Sequence, residues 1–220
     1  MDTLVAGVHF PADTAPAAIG HKALAVNLSD LAAMGAEPAW FTLALTLPEA
    51  DADWLADFAR GMFRLADDYG VQLVGGDVTH GPLSVTVQAH GLLPRGSALR
   101  RSGAAAGDRI YVTGTLGDAG LALRQGGQAP AALRQRLDYP SPRMESGQAL
   151  LGLASAVIDI SDGLLADLGH LLEVAGLGAE IRVDALPRSA GFLAAAGPAD
   201  IDPIYYDIPL TAGDDYELCF

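Results

Sequence analysis

Five aspartates, Asp2, Asp30, Asp77, Asp159 and Asp162, each fall where an apolar strand stops or a helix pattern starts. Four of them lie in three segments, NLSDLAAMGA, VQLVGGDVTHG and AVIDISDGLLADLGH, whose other residues are mostly apolar or small. A fold that buries those segments carries the carboxylates toward its core, and a buried carboxylate costs several kcal/mol unless it is paired. Something cationic therefore belongs among them. The chain has a single lysine, Lys22, and its arginines are mostly elsewhere, so Mg2+ held by carboxylate oxygens is the simplest partner. Aspartates clustered on Mg2+ point in turn to a phosphorylated ligand.

The remaining composition narrows the class. With 220 residues and 50% hydrophobic content, the chain can build one large or two small cores. A formal charge of −14 argues against nucleic acid, whose phosphate backbone it would repel. The same field would repel a nucleotide: at an effective dielectric near 20, like charges about 4 Å apart cost about 4 kcal/mol, so metal ions must stand between them. No apolar run reaches membrane-spanning length, and no basic-then-apolar leader opens the chain. The one cysteine, Cys219 in YELCF, reads as a small buried hydrophobe and fits a reducing, cytoplasmic setting.

Strand and helix patterns alternate. TLVAGVHF (3–10) reads as a strand, residues 17–36 as a helix broken at Glu37-Pro38, and AWFTLALTLP as a strand. An amphipathic helix over 51–69 puts Trp54, Leu55, Phe58, Met62 and Leu65 on one face. VQLVGGD and LSVTVQAHGLL are strands joined by a THGP turn, and the small, polar stretch 95–107 marks a boundary between parts 1–100 and 101–220. Beyond it RIYVTG, AVIDI and AEIRVDALP read as strands, with helices at GDAGLALRQG, MESGQALLGLA and SDGLLADLGHLLEVAG. The chain opens and closes in strand patterns, so it reads as a piece of a longer protein.

Each candidate has a plainer reading. Asp30 could be a solvated helix residue, and Ser161 and Asp162 could cap the helix that follows them. Asp159 resists such a reading, because it interrupts a strand with apolar neighbours on both faces. Asp77 could be turn chemistry, although Gly75 and Gly76 would let a nucleotide approach the backbone. VTGTLGDAGLAL has the outline of a phosphate-cradling loop and helix start but lacks the spacing of the known fingerprints. His9 is by default structural, and Arg101 is by default half of a solvated pair with Arg100.

Taken in order, DTLVAGVHF, HKALAVNLSDLAAMGAEPAWFTLALTLP, VGGDVTHGPLSVTVQAHG, RSGAAAGDRIYVTGTLGD, SPRMESGQAL, AVIDISDGLLADLGHL and GDDYELCF closely resemble the thiamine-monophosphate kinase family. That family shares a superfamily with aminoimidazole ribonucleotide synthetase, selenophosphate synthetase and the hydrogenase-maturation dehydratase. The resemblance covers essentially the whole chain. It implies an α+β fold in two parts: a β-rich N-terminal half that forms a barrel across a homodimer, and a C-terminal sheet covered by helices. It implies Mg2+ ligands at Asp2, Asp30, Asp77, Asp159 and Asp162, contacts to ATP at Gly76, Asp77, Arg101 and Ser161, and contacts to thiamine monophosphate at His9 and Asp214. Three departures stand out: the family's Ser-Thr before Asp2 is absent, with Met1 in its place, Val78 replaces a threonine, and Asp214 stands where glutamate is common. The family's upstream Gly-Asp-Asp and a downstream aromatic contact have no counterpart here.

The implied chemistry requires no general base. A phosphate monoester with a second pKa near 6 is largely dianionic at neutral pH, so the nucleophile has no proton to lose. The obstacle is charge repulsion in a direct in-line transfer from ATP to thiamine monophosphate, and carboxylate-held metals can screen it. Two alternatives stay open: a sister ATP-using enzyme of the superfamily, or a catalytically dead remnant that folds and dimerises.

Overall fold

The computed structural model describes residues 1–197 and 204–220. Helix α1 (Pro16–Ala33) starts on a proline in its first turn, where the missing amide N–H costs nothing, and it is buried on nearly every side. Helix α2 (Ala52–Asp68) and strands β2 (Glu37–Leu47) and β4 (Ser84–Leu92) pack against it. Helix α5 (Met144–Ala149) and strands β5 (Ile158–Ile160) and β6 (Glu217–Cys219) also pack on it. Asp51 caps α2, accepting from the amides of Asp53 and Trp54. Phe58, Met62 and Leu65 of α2 are buried, and Trp54 and Leu55 pack on the same core, as the helical spacing requires. The two helices meet backbone to backbone. A Cβ on Gly61 would lie 1.8 Å from the Ala17 carbonyl oxygen, and one on Gly20 would lie 2.1 Å from that of Phe58.

The first sheet has the order β1-β4-β2-β3, with β1 spanning Asp2–Val5 and β3 Gln72–His80. β4 is antiparallel to both β1 and β2, whereas β3 is parallel to β2 after the α2 crossover. The THGP turn therefore does not make β3 and β4 neighbours. It steps over the end of β2, where the Gly81 amide donates to the Leu47 carbonyl at 2.9 Å. β3 is left as an edge strand exposed along its length.

Other boundaries move for local reasons. The strand expected over 3–10 stops at Val5 because the amides of Val8 and His9 both turn back to the Val5 carbonyl. RIYVTG joins the β5–β6 pair only through the Tyr111–Phe220 and Thr113–Leu218 backbone bonds, as an irregular third member. AEIRVDALP is not a strand: its residues are mostly exposed, no neighbouring strand pairs with it, and its regular part is a 3-10 turn at Val183–Ala185. Among the described residues, further helices are α3 (Asp118–Gln125), α4 (Ala131–Asp138), α6 (Leu164–Ala175), α7 (Ala190–Ala196) and α8 (Ile204–Thr211). The sequence reading assigned no element to α4, α7 or α8. The fold is α+β.

β6 is clamped from below. Glu217 is fully buried and accepts from Arg143 Nε at 2.6 Å, Arg136 Nη2 at 2.7 Å and Thr113 Oγ1 at 2.6 Å. Two guanidinium groups and a hydroxyl saturate the carboxylate, which makes its burial tolerable and fixes the segment that precedes β6.

Candidate active site

Three polar residues in the otherwise apolar run AVNLSDLAA organise the site from α1. Asn27 accepts from the backbone amide of Asp2 at 3.2 Å and so holds the start of β1. Ser29, fully buried, donates to Asp159 Oδ2 at 2.7 Å and so holds β5. Asp30 follows in the last turn of the helix. In-line spacing along one helix thus gathers the beginning of the chain and a strand far along it around a single carboxylate.

Asp2, Asp30, Asp159, Ser161, Asp162, His9 and Asp214 all line one cavity of about 580 Å³. Its charge is visible in the acidities. Burial, then the neighbouring carboxylates of Asp159 and Asp2, push Asp30 up to about 7. Asp159 is also raised, chiefly by burial, against the opposing effect of its bond from Ser29. The carboxylate oxygens that line this cavity are the hard donors that suit Mg2+. Among the described residues, no three His, Cys, Asp or Glu side chains are already drawn together closely enough to hold an ion.

Neither Ser161 nor Asp162 caps α6. Gly163 occupies the position before the helix, and Asp167 in its first turn accepts from the amides of Ser161 and Asp162 at 2.9 and 3.0 Å. Asp167 thereby frees the Ser161 and Asp162 side chains to face the cavity. The phosphate-cradle outline of VTGTLGDAGLAL is overturned: both oxygens of the buried Asp215 accept from the Gly117 amide at 3.0 Å, so the start of α3 already holds one of the protein's own carboxyl groups.

A second cavity of about 320 Å³ backs onto the first and shares Asp30 and Asp159 with it. Arg100 and Arg101 line it, together with an apolar wall that includes Leu31, Met34, Leu99 and Val157. Arg101 acts on the shared wall electrostatically, lowering the proton affinity of Asp159.

Gly76 and Asp77 are not brought to this site within the chain. Asp2 pairs with Val87, Val87 with Leu43, and Leu43 with Gly76, so three strand spacings, about 14 Å, separate the two ends of that row. Gly76 has a structural duty on its edge: a Cβ there would lie 1.9 Å from the Leu43 carbonyl oxygen.

Sequence reasoning also passed over Lys22. Its ammonium, on α1 and almost completely buried, lies 3.0 Å from Asp214 Oδ1 and 3.4 Å from the His9 carbonyl oxygen. The hydroxyl of Tyr216 donates to the same Asp214 oxygen at 3.2 Å. The signal was present in the sequence, since a lone lysine inside a mostly apolar helix needs a buried partner. Which acid supplies it is a matter of tertiary contact.

Comparison with known proteins points to one family. Residues 1–93 match the family model described as AIR synthase related protein, N-terminal domain. The whole chain is 53% identical to the thiamine-monophosphate kinase of Salmonella typhimurium and spans 69% of it. Of solved structures, the thiamine-monophosphate kinase from Stenotrophomonas maltophilia superposes with a TM-score of 0.93 at 49% identity, over 100% of this chain and 72% of that one. The complex of AaThiL with AMPPCP and TMP superposes with a TM-score of 0.90 at 35% identity, over 100% of this chain and 72% of that one.

Proposed function

The chain belongs to the thiamine-monophosphate kinase family, and on that premise we propose that it phosphorylates thiamine monophosphate with ATP by direct in-line transfer at an aspartate-held Mg2+ site. The observation that carries this reading is the pair of cavities sharing the Asp30–Asp159 wall. His9 and Asp214, the expected acceptor contacts, line one cavity, and Arg101, the expected nucleotide contact, lines the other. Two phosphate groups entering from opposite sides would meet at the shared carboxylates, as an in-line transfer requires.

Asp2, Asp30, Asp159 and Asp162 are the residues that would hold Mg2+. When bound, the metal screens repulsion between the phosphates and draws charge from the transferred group. Arg101 binds nucleotide phosphate from its side, and Ser161 offers a hydroxyl from the other side of the shared wall, in the larger cavity. Ser29 keeps Asp159 oriented, and Asp167 keeps the 161–162 turn in place. No residue is needed to take a proton from the acceptor.

The division into 1–100 and 101–220 puts the cavity between the two halves, with Asp2 and Asp30 from the first and Asp159, Asp162 and Asp214 from the second. Asp77 and Gly76 would reach the site from β3 of a second copy, because their own edge lies across the sheet. A homodimer that pairs the exposed β3 edges or sheet faces would bring this about and would cover Val74 and Val78, now 59% and 65% exposed.

The test is formation of thiamine diphosphate from thiamine monophosphate and ATP, with ADP release measured in parallel. ADP release that depends on thiamine monophosphate and is abolished by chelator supports the reading. Release indifferent to thiamine monophosphate sinks it.

A further inference from the structure

We propose that Lys22 is a positioning residue for the acceptor substrate, tying Asp214 and the His9 loop into one wall of the larger cavity. The proposal rests on the reading above that this cavity takes thiamine monophosphate. Lys22 is 3% exposed, and its two oxygen partners come from loops at opposite ends of the chain. An ammonium buried that deeply would be prohibitive without them. The loop it grips is conformationally unusual, since Asp214 and Tyr216 both have positive φ, 69° and 48°, without being glycine. Such backbone persists only where surrounding contacts over-determine it. Here those contacts are the Asp214 amide to the Ser161 carbonyl at 2.9 Å, the Tyr216 amide to the Ile160 carbonyl at 2.8 Å, and the Lys22 ion pair.

The pairing has a chemical consequence for the ligand. Lys22 and Tyr216 both bond Oδ1 of Asp214, so Oδ2 retains its acceptor capacity for a donor such as the amino group of an aminopyrimidine. Lys22 also cancels the charge of Asp214. The acceptor end of the cavity therefore gains a hydrogen-bond acceptor without adding to the negative charge of Asp2, Asp30, Asp159 and Asp162, which an incoming phosphate monoester must already face.

The experiment compares the wild-type protein, Lys22→Met, Asp214→Asn and the double variant by calorimetric titration. The titrants are thiamine monophosphate and, separately, AMPPCP with Mg2+. Lys22→Met should weaken thiamine monophosphate binding by about tenfold or more, as loss of a buried charge-assisted bond implies, while the nucleotide analogue binds as before. The double variant should bind thiamine monophosphate at most about twofold more weakly than Asp214→Asn alone, because Lys22 acts chiefly through Asp214, its contact with the His9 carbonyl being the longer one at 3.4 Å. That second comparison decides the matter even if Lys22→Met alone folds poorly, since the double variant removes both charges. Equal weakening for both ligands, additive losses in the double variant, or unchanged binding by Lys22→Met would overturn the proposal. Wild-type protein that binds no thiamine monophosphate would instead remove the functional reading, and the proposal with it.

Discussion

Asp30 carries the clearest consequence at the scale of one residue. Its folded-state pKa of about 7 stands above its ordinary value of 3.8. Without metal, the folded protein therefore keeps a proton that the unfolded chain releases, and stability falls as pH rises from about 4 through 7. The expected outcome is a metal-free thermal midpoint lower at pH 8 than at pH 5.5. Mg2+ should restore the midpoint at pH 8 and do less at pH 5.5, where Asp30 holds its proton. Replacing Asp30 with Asn should flatten the pH slope, and an unchanged slope would move the effect to other carboxylates. The 161–162 turn gives a second expectation. Because Asp167, and not Asp162, holds the turn's amides, Asp162→Asn should leave the melting temperature nearly unchanged while phosphoryl transfer collapses. Asp167→Ala should cost about 1–3 kcal/mol of stability by leaving two amides without their acceptor. Unfolding curves and turnover for both variants separate the roles, and an active Asp162→Asn enzyme would exclude Asp162 as a required ligand.

At the scale of elements, the site depends on how closely α1 and α2 approach. Gly61 sits against the Ala17 carbonyl oxygen at a distance no Cβ could occupy, so Gly61→Ala must push the helices apart. We expect a loss of about 3 kcal/mol, a fall in thermal midpoint of roughly 6–12 °C for a chain of this size. A midpoint within a degree or two of wild type would show that the interface can absorb a methyl group. The elements whose type was legible were those with a long periodic pattern or a strong punctuator: α1 with Pro16, α2 with its Asp51 cap and apolar face, and β2 with its apolar run. α7 and α8 were not legible, being short helices whose stability comes from tertiary packing around Phe192 and Ile208. AEIRVDALP failed in the opposite direction, because strand-like residues without a neighbouring strand or a face to bury form no strand.

At the scale of the whole molecule, the distance between Asp77 and the other aspartates makes a test of assembly possible. If β3 of one copy completes the site of another, Asp77→Asn and Asp159→Asn are each inactive alone. Mixed and allowed to exchange subunits, they should recover about a quarter of wild-type turnover, because about half the dimers are mixed and each mixed dimer has one intact site. No recovery, with exchange verified by mass, would mean that both residues serve the same chain's site or that Asp77 serves none. The acidic surface adds a condition. At a formal charge of −14, nucleotide binding should disappear with chelator and return with Mg2+, which a titration of AMPPCP in both conditions would check.

Local chemistry is what the sequence by itself determined: aspartates at element ends, the apolar stripe of α2, Asp159 inside a doubly buried strand, and the ordered motifs of the family. Those features depend on residue type and spacing over a few turns, where steric and solvation rules act without long-range information. Tertiary structure alone decided which charges meet. It put Lys22 beside Asp214, Ser29 beside Asp159, two arginines on Glu217 and Asp215 into the helix start that looked fit for a phosphate. It also sent Asp77 to the far edge of the sheet, because β3 pairs parallel to β2 and not as a hairpin with β4. Pairings of that kind join positions many residues apart, and a sequence pattern specifies that a buried charge must have a partner without specifying which one.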